Sequence, residues 1–177
     1  MQRAVAELSA APRRPSRRIA NLTGFLACAA MMGYALFAQY VQHLEPCNMC
    51  TLQRIGTVAL GIAFLLAALH DPKTLGARLY GLLIALCAAA TAAVAARHVW
   101  VQAQPFGSLP SCGADFYTLL DMMPVREAVM RVLKGGGDCQ AVTWSLFGLS
   151  IPWWVLIASA LTGAAGLVAN FALPRGR

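Results

Sequence analysis

The sequence predicts an all-α membrane protein, a four-transmembrane-helix bundle whose non-cytoplasmic side carries one short and one long loop. Three observations predict it. Of 177 residues 59% are apolar and only 12% charged, about half the charged fraction of an ordinary soluble domain, so the apolar surface must face lipid. Four stretches carry no charge at all: Ile19–Leu44, Ile55–His70, Leu79–Ala96 and Cys139–Pro174. Nine of the 14 basic residues flank these stretches on one side of the chain's path. The net charge of +7 is therefore the Lys/Arg bias of membrane flanks rather than a basic nucleic-acid face.

A tail at 1–18 comes first, with Arg3, Arg13, Arg14, Arg17 and Arg18 ahead of the first apolar run. The four-helix membrane domain then covers 19–173, because a spanning helix needs about 20 mostly apolar residues. Its spans read as 19–41, 48–69, 79–99 and 152–173, with non-cytoplasmic loops at 42–47 and 100–151. The first run is longer than the apolar core of a cleaved signal, about 7–15 residues, and no small-x-small site ends it, so it reads as a retained helix. Lys73 and Arg78 mark the link between the second and third spans, and Arg175 and Arg177 mark the tail at 174–177. The long loop sets Arg126, Arg131 and Lys134 against Asp115, Asp121, Glu127 and Asp138. Both termini are thereby expected in the cytoplasm. Within that loop Val125, Ala128, Val129, Val132 and Leu133 recur at helical spacing, the mark of a short amphipathic interfacial helix. Trp144, Trp153 and Trp154 read as interfacial anchors of the last span.

Six cysteines are present. Cys28 and Cys87 fall mid-membrane, where cysteine is a small apolar filler. Cys47, Cys50, Cys112 and Cys139 all fall on the non-cytoplasmic side, where disulfides form and persist. Cys47 and Cys50 form a C-x-x-C pair, and Cys112 and Cys139, with 26 residues between them, make the natural second pair. Three chemistries compete for these four. Structural disulfides leave the C-x-x-C pair unexplained, since so short a loop stabilises little through chain entropy. A zinc site would ordinarily show two closely spaced pairs. A thiol–disulfide relay needs one pair exposed to a partner and one pair near an electron sink, which accommodates both spacings.

Arg54 favours the relay. Cys47, Cys50 and Arg54 stand at i, i+3 and i+7 on one helix face. They open the second span, where the helix N-terminus adds partial positive charge. Both features favour a thiolate, and a cation at membrane depth beside a dithiol marks a functional site. The bland alternative is that Arg54 merely snorkels to the interface. His98 closes the third span and has the chemistry to hydrogen-bond a quinone oxygen. His43 lies near the same face, as an ordinary interfacial residue.

At Leu44-Glu45-Pro46-Cys47-x-x-Cys50-x-x-Gln53-Arg54, at Gly137-Asp138-Cys139, and at Trp144-x-x-x-Gly148-Leu149-x-x-Pro152-x-Trp154, the chain resembles the disulfide bond formation protein B (DsbB) family. With the four spans the resemblance covers nearly everything from residue 19 on. It implies a bacterial inner-membrane thiol:quinone oxidoreductase. A soluble periplasmic DsbA-like thiol oxidase would attack Cys112 and free Cys139. Cys139 would then attack Cys47, leaving the Cys50 thiolate against a quinone (ubiquinone or menaquinone) held by Arg54 and His98. The redox-active disulfides would be Cys47–Cys50 and Cys112–Cys139, with no metal and no nucleic acid involved. The rival class is a membrane metal-binding or transport protein using the periplasmic cysteines as soft ligands.

Overall fold

A computed structural model describes residues 16–110 and 114–175. Cys112, Arg177 and nearly all of the N-terminal tail, each named above, lie outside the described residues. In chain order the elements are α1 (Arg17–Tyr40), α2 (Asn48–His70), α3 (Thr74–Gln102), α4 (Phe116–Met122), α5 (Val125–Lys134), a 3-10 turn (Gly137–Cys139), β1 (Ser145–Leu146), β2 (Leu149–Ser150) and α6 (Ile151–Ala172). Among the described residues α1, α2, α3 and α6 are the helices long and apolar enough to cross a membrane. Their start and stop signals are local. Ser16 accepts a hydrogen bond from the Ile19 amide at the start of α1, Pro152 sits in the first turn of α6, and α2 stops at Asp71 in the left-handed region, followed by Pro72.

The helices close a ring in which α2 packs between α1 and α3, α3 packs on α6, and α6 returns to α1. The α3–α6 seam is closest where small residues meet: a Cβ added at Gly163 would stand 2.4 Å from Ala88 Cβ. Lipid offers no hydrophobic drive between helices, so this close approach supplies packing that bulkier residues would forfeit. Leu60, Phe64, Ile84, Ala88 and Cys28 fill the centre. Asn21 and Asn170 exchange two side-chain hydrogen bonds across α1 and α6, at 3.1 and 2.8 Å. At the end of the bundle where α1 begins and α6 ends, Arg17 pairs with Asp71 at 3.1 Å, and Asp71 also faces Arg175 at 3.6 Å.

A second core lies at the opposite end, formed by Met49, Val101, Phe116, Leu119, Ala128, Val132 and Cys139. Here the long loop folds down onto the start of α2. The amphipathic stretch does form α5, with Ala128 and Val132 buried in this core and Val125 and Met130 exposed. Helix α4 and the β1–β2 hairpin were not expected from the sequence. Seven helical residues and two-residue strands are too short to leave a periodic signal.

Candidate active site

Cys47 is the N-cap of α2, and its Sγ accepts a hydrogen bond from the Cys50 amide at 3.4 Å. Pro46 precedes the cap, outside the helix, where its missing N–H costs no helical hydrogen bond. The helical turn brings Cys50 Sγ to 3.2 Å from Cys47 Sγ, both as free thiols. The sulfur of Cys47 therefore sits at the N-terminal end of α2.

His98 stands across from the pair on α3, fully buried, with Nε2 at 3.7 Å from Cys47 Sγ and 3.2 Å from the Cys139 carbonyl oxygen. Its other nitrogen, Nδ1, lies 3.0 Å from Nε2 of the buried Gln53. An amide N–H can only donate, so Nδ1 accepts, and the ring proton rests on Nε2, facing the sulfur and the carbonyl. Gln53 thus orients His98 one turn below Cys50.

Cys139 ends the 3-10 turn and is buried against Cys47. A hydrogen bond with Cys47 and, after it, burial push its thiol above the usual range. The turn is delivered by Gly135, whose φ of +83° only glycine adopts readily. A Cβ there would also come within 2.7 Å of Val101 Cγ2.

Cys112 lies outside the described residues, but the chain on both sides of it is tied to this site. The Gly137 amide donates to the Pro110 carbonyl at 3.1 Å, and Asn48 Nδ2 donates to the Ala114 carbonyl at 2.9 Å. The two residues inside the C-x-x-C motif are therefore structural clamps: Asn48 holds the loop, and Met49 is completely buried in the loop core.

Two cavities meet at the motif. The larger, about 510 Å³, is lined by Met31, Tyr34 and Ala35 of α1, by Cys50 and Arg54 of α2, and by Trp154 of α6. The smaller, about 60 Å³, is lined by Cys47, Cys50, His98 and Asp138 among others. Cys50 belongs to both walls. Arg54 does not point freely to an interface. Its guanidinium donates to the Gln39 side-chain oxygen and to the Ala35 carbonyl of α1, the latter at 2.9 Å. Trp144 and Trp154, read as interfacial anchors, line the large cavity, and Trp144 packs against Tyr34 with ring centroids 5.7 Å apart.

The sequence-derived set is thus divided by the fold. Cys47, Cys50 and Cys139 converge with His98, while Arg54 stands on the larger cavity with Cys50. His98, expected beside a quinone, lines the smaller cavity and stands 3.7 Å from Cys47 Sγ. Gln53 has no role predicted from the sequence, where its spacing three residues after Cys50, on the same helix face, is the available signal. Gln39 left no signal, since its contact with Arg54 spans two helices. His43 is exposed at the link, with φ of 53°.

A family model described as "Disulfide bond formation protein DsbB" matches residues 17–169. The chain is 45% identical over 148 residues to a "Disulfide bond formation protein B" of Methylobacillus flagellatus, covering 84% of this chain and 89% of that protein. It is 40% identical over 154 residues to the protein so named in Nitrosococcus oceani, covering 87% and 91%. To the one in Chromobacterium violaceum it is 43% identical over 143 residues, covering 78% and 86%. With its four apolar helices and its paired cysteines, the chain belongs to the DsbB family of multi-pass membrane oxidoreductases of disulfide bond formation.

Proposed function

We propose that this chain reoxidises a periplasmic DsbA-like dithiol oxidase and delivers the two electrons to a membrane quinone, so sustaining disulfide formation in exported proteins. The observation that carries this reading is the position of Cys50, on the wall between the small cysteine–histidine cavity and the large apolar one. A relay to a lipid-soluble acceptor needs one sulfur that both compartments reach.

The exchange steps belong to the chain's own sulfurs. The partner's thiolate attacks Cys112 of a Cys112–Cys139 disulfide, forming a mixed disulfide and releasing Cys139 as a thiolate. Cys139 attacks Cys47, the Cys47–Cys50 bond breaks, and Cys50 leaves as a thiolate on the wall of the large cavity. The partner's second thiol then displaces Cys112, and Cys112 displaces Cys47 from Cys139. The pair Cys112–Cys139 is restored and Cys47–Cys50 is left reduced. The Nε2–H of His98 faces Cys47 Sγ, a donor for the charge that develops there.

The large cavity fits a quinone ring. Its volume lies within the usual range for small-molecule sites, about 300–1,000 Å³, and its apolar walls carry a few polar groups, among them Arg54 and Gln53. A quinone held there supplies a two-electron, two-proton acceptor. Arg54 would hold it by charge-assisted hydrogen bonds, with Trp154 and Met31 enclosing the ring. On the same reading the protein sits in the bacterial inner membrane with both termini cytoplasmic, an orientation that the basic flanks support.

The test is anaerobic mixing of the prereduced protein with ubiquinone and, separately, menaquinone, following the quinone's absorbance. Stoichiometric quinone reduction that disappears in Cys50→Ala is expected. Failure of both quinones to be reduced by a folded, fully reduced protein would overturn the reading.

A further inference from the structure

The smaller cavity has a composition that disulfide exchange alone does not require. Cys47 Sγ, Cys50 Sγ and the His98 nitrogen all lie within 4.8 Å of one another. The two sulfurs are 3.2 Å apart, and His98 Nε2 is 3.7 Å from Cys47 Sγ. Zinc bonds of about 2.3 Å to sulfur and about 2.0–2.1 Å to imidazole place ligand atoms roughly 3.5–3.8 Å apart in a tetrahedron. The Cys47–Cys50 and Cys47–His98 pairs need a side-chain adjustment of a few tenths of an ångström to reach that spacing, and the Cys50–His98 pair, within 4.8 Å, one of about 1 Å at most. The donors line a cavity of about 60 Å³, room for an ion. Cys139 belongs to the buried cluster against which Cys47 packs.

The surroundings match as well. A zinc-bound imidazole presents its second ring N–H to an acceptor that fixes its orientation. Here Gln53 lies 3.0 Å from Nδ1, and a half-turn of its amide exchanges donor for acceptor at the same place.

We propose that the reduced form of this protein binds one Zn²⁺ ion through Cys47, Cys50 and His98, and that this holds the enzyme in its reduced, inactive state. Binding displaces the two thiol protons into solvent and moves no electrons, so zinc and disulfide formation compete for the same pair of sulfurs. Only the dithiol state offers two thiolates; the Cys47–Cys50 disulfide offers none. Because the thiols must lose protons, affinity falls as pH is lowered. The inference rests on reading Cys47–Cys50 as a pair that cycles between dithiol and disulfide, and it makes free zinc an inhibitor of disulfide formation.

The test reads binding rather than turnover, so its failure is distinct from failure of quinone reduction. Full-length protein in detergent is reduced anaerobically, freed of reductant, and titrated with Zn²⁺ against a chromophoric chelator. To remove competing thiols, Cys28, Cys87 and Cys112 are replaced by alanine. One equivalent is expected to bind to the dithiol form and none to the same protein after oxidation of Cys47–Cys50. His98→Ala should weaken binding by at least about a hundredfold, and Gln53→Leu by about tenfold, as expected for a ligand and for its orienting partner. Equal binding by oxidised and reduced protein, or unchanged affinity in His98→Ala, overturns the proposal. Should that variant not fold, zinc-edge X-ray absorption on the parent protein decides: at least two sulfurs with one imidazole support the site, and a shell lacking imidazole overturns it.

Discussion

Gln53 donates its side-chain amide to Nδ1 of His98 at 3.0 Å, joining α2 to α3 at a point where both residues are buried. The bond decides which face of the imidazole carries the proton, and so whether Cys47 meets a donor or an acceptor. Gln53→Leu leaves Nδ1 buried without a partner, which costs about 1–3 kcal/mol. A lower thermal midpoint in detergent is expected, together with slower exchange at Cys47. An unchanged midpoint would show that His98 is held in place by something else.

Cys139 has a thiol raised by its hydrogen bond to Cys47 and by burial. A raised thiol favours the protonated form, so this group's stabilisation is complete below the ordinary thiol value of about 8.5. It is lost as pH climbs through the higher folded value. The reduced protein should therefore lose stability on the alkaline side, and Cys139 should alkylate more slowly at pH 8 than a free cysteine does. Cys47→Ala removes the first cause and should move the alkylation profile back toward neutral pH. A profile that stays put in that variant would remove Cys47 as the cause.

The relay makes an asymmetric forecast for its loop cysteines. Cys139→Ala should accumulate a mixed disulfide between Cys112 and a DsbA-like partner, because the thiol that resolves it is gone. Cys112→Ala should form no such adduct. Non-reducing gels of the two variants mixed with oxidase decide the order, and equal trapping in both would mean that the attacked cysteine is misassigned.

Arg54 bridges α2 to the Ala35 carbonyl and the Gln39 side chain while lining the large cavity. Arg54→Lys keeps the charge but loses the planar fork that serves several acceptors at once. A lost charge-assisted hydrogen bond costs about 1.5–3 kcal/mol, or roughly one to two decades in affinity. The quinone KM should rise at least about tenfold while exchange between the partner and Cys112 stays near normal. A quinone KM equal to that of the parent protein would leave Arg54 as a strut between helices.

What could be read from the sequence was whatever repeats or is charged. The four spanning helices followed from uncharged runs, since lipid leaves a polypeptide few other ways to satisfy its backbone. The Cys47–Cys50–Arg54 face followed from helical spacing alone. The contacts that give the site its detail join residues far apart in the chain: Gln53 with His98, Asn48 with Ala114, Arg54 with Gln39. Nothing in local periodicity encodes such pairs. His98 shows the difference well. Its position at the end of the third span was evident, but which of two neighbouring cavities it faced depended on how α3 rotates against α2.

The placement of Cys50 on two walls has a kinetic consequence. A group that belongs to both chambers acts as a partition, and the two substrates of such an enzyme never need to be bound in contact. Each leaves the protein chemically altered before the other requires it. Steady-state rates measured against one substrate at several fixed levels of the other should then fall on parallel double-reciprocal lines.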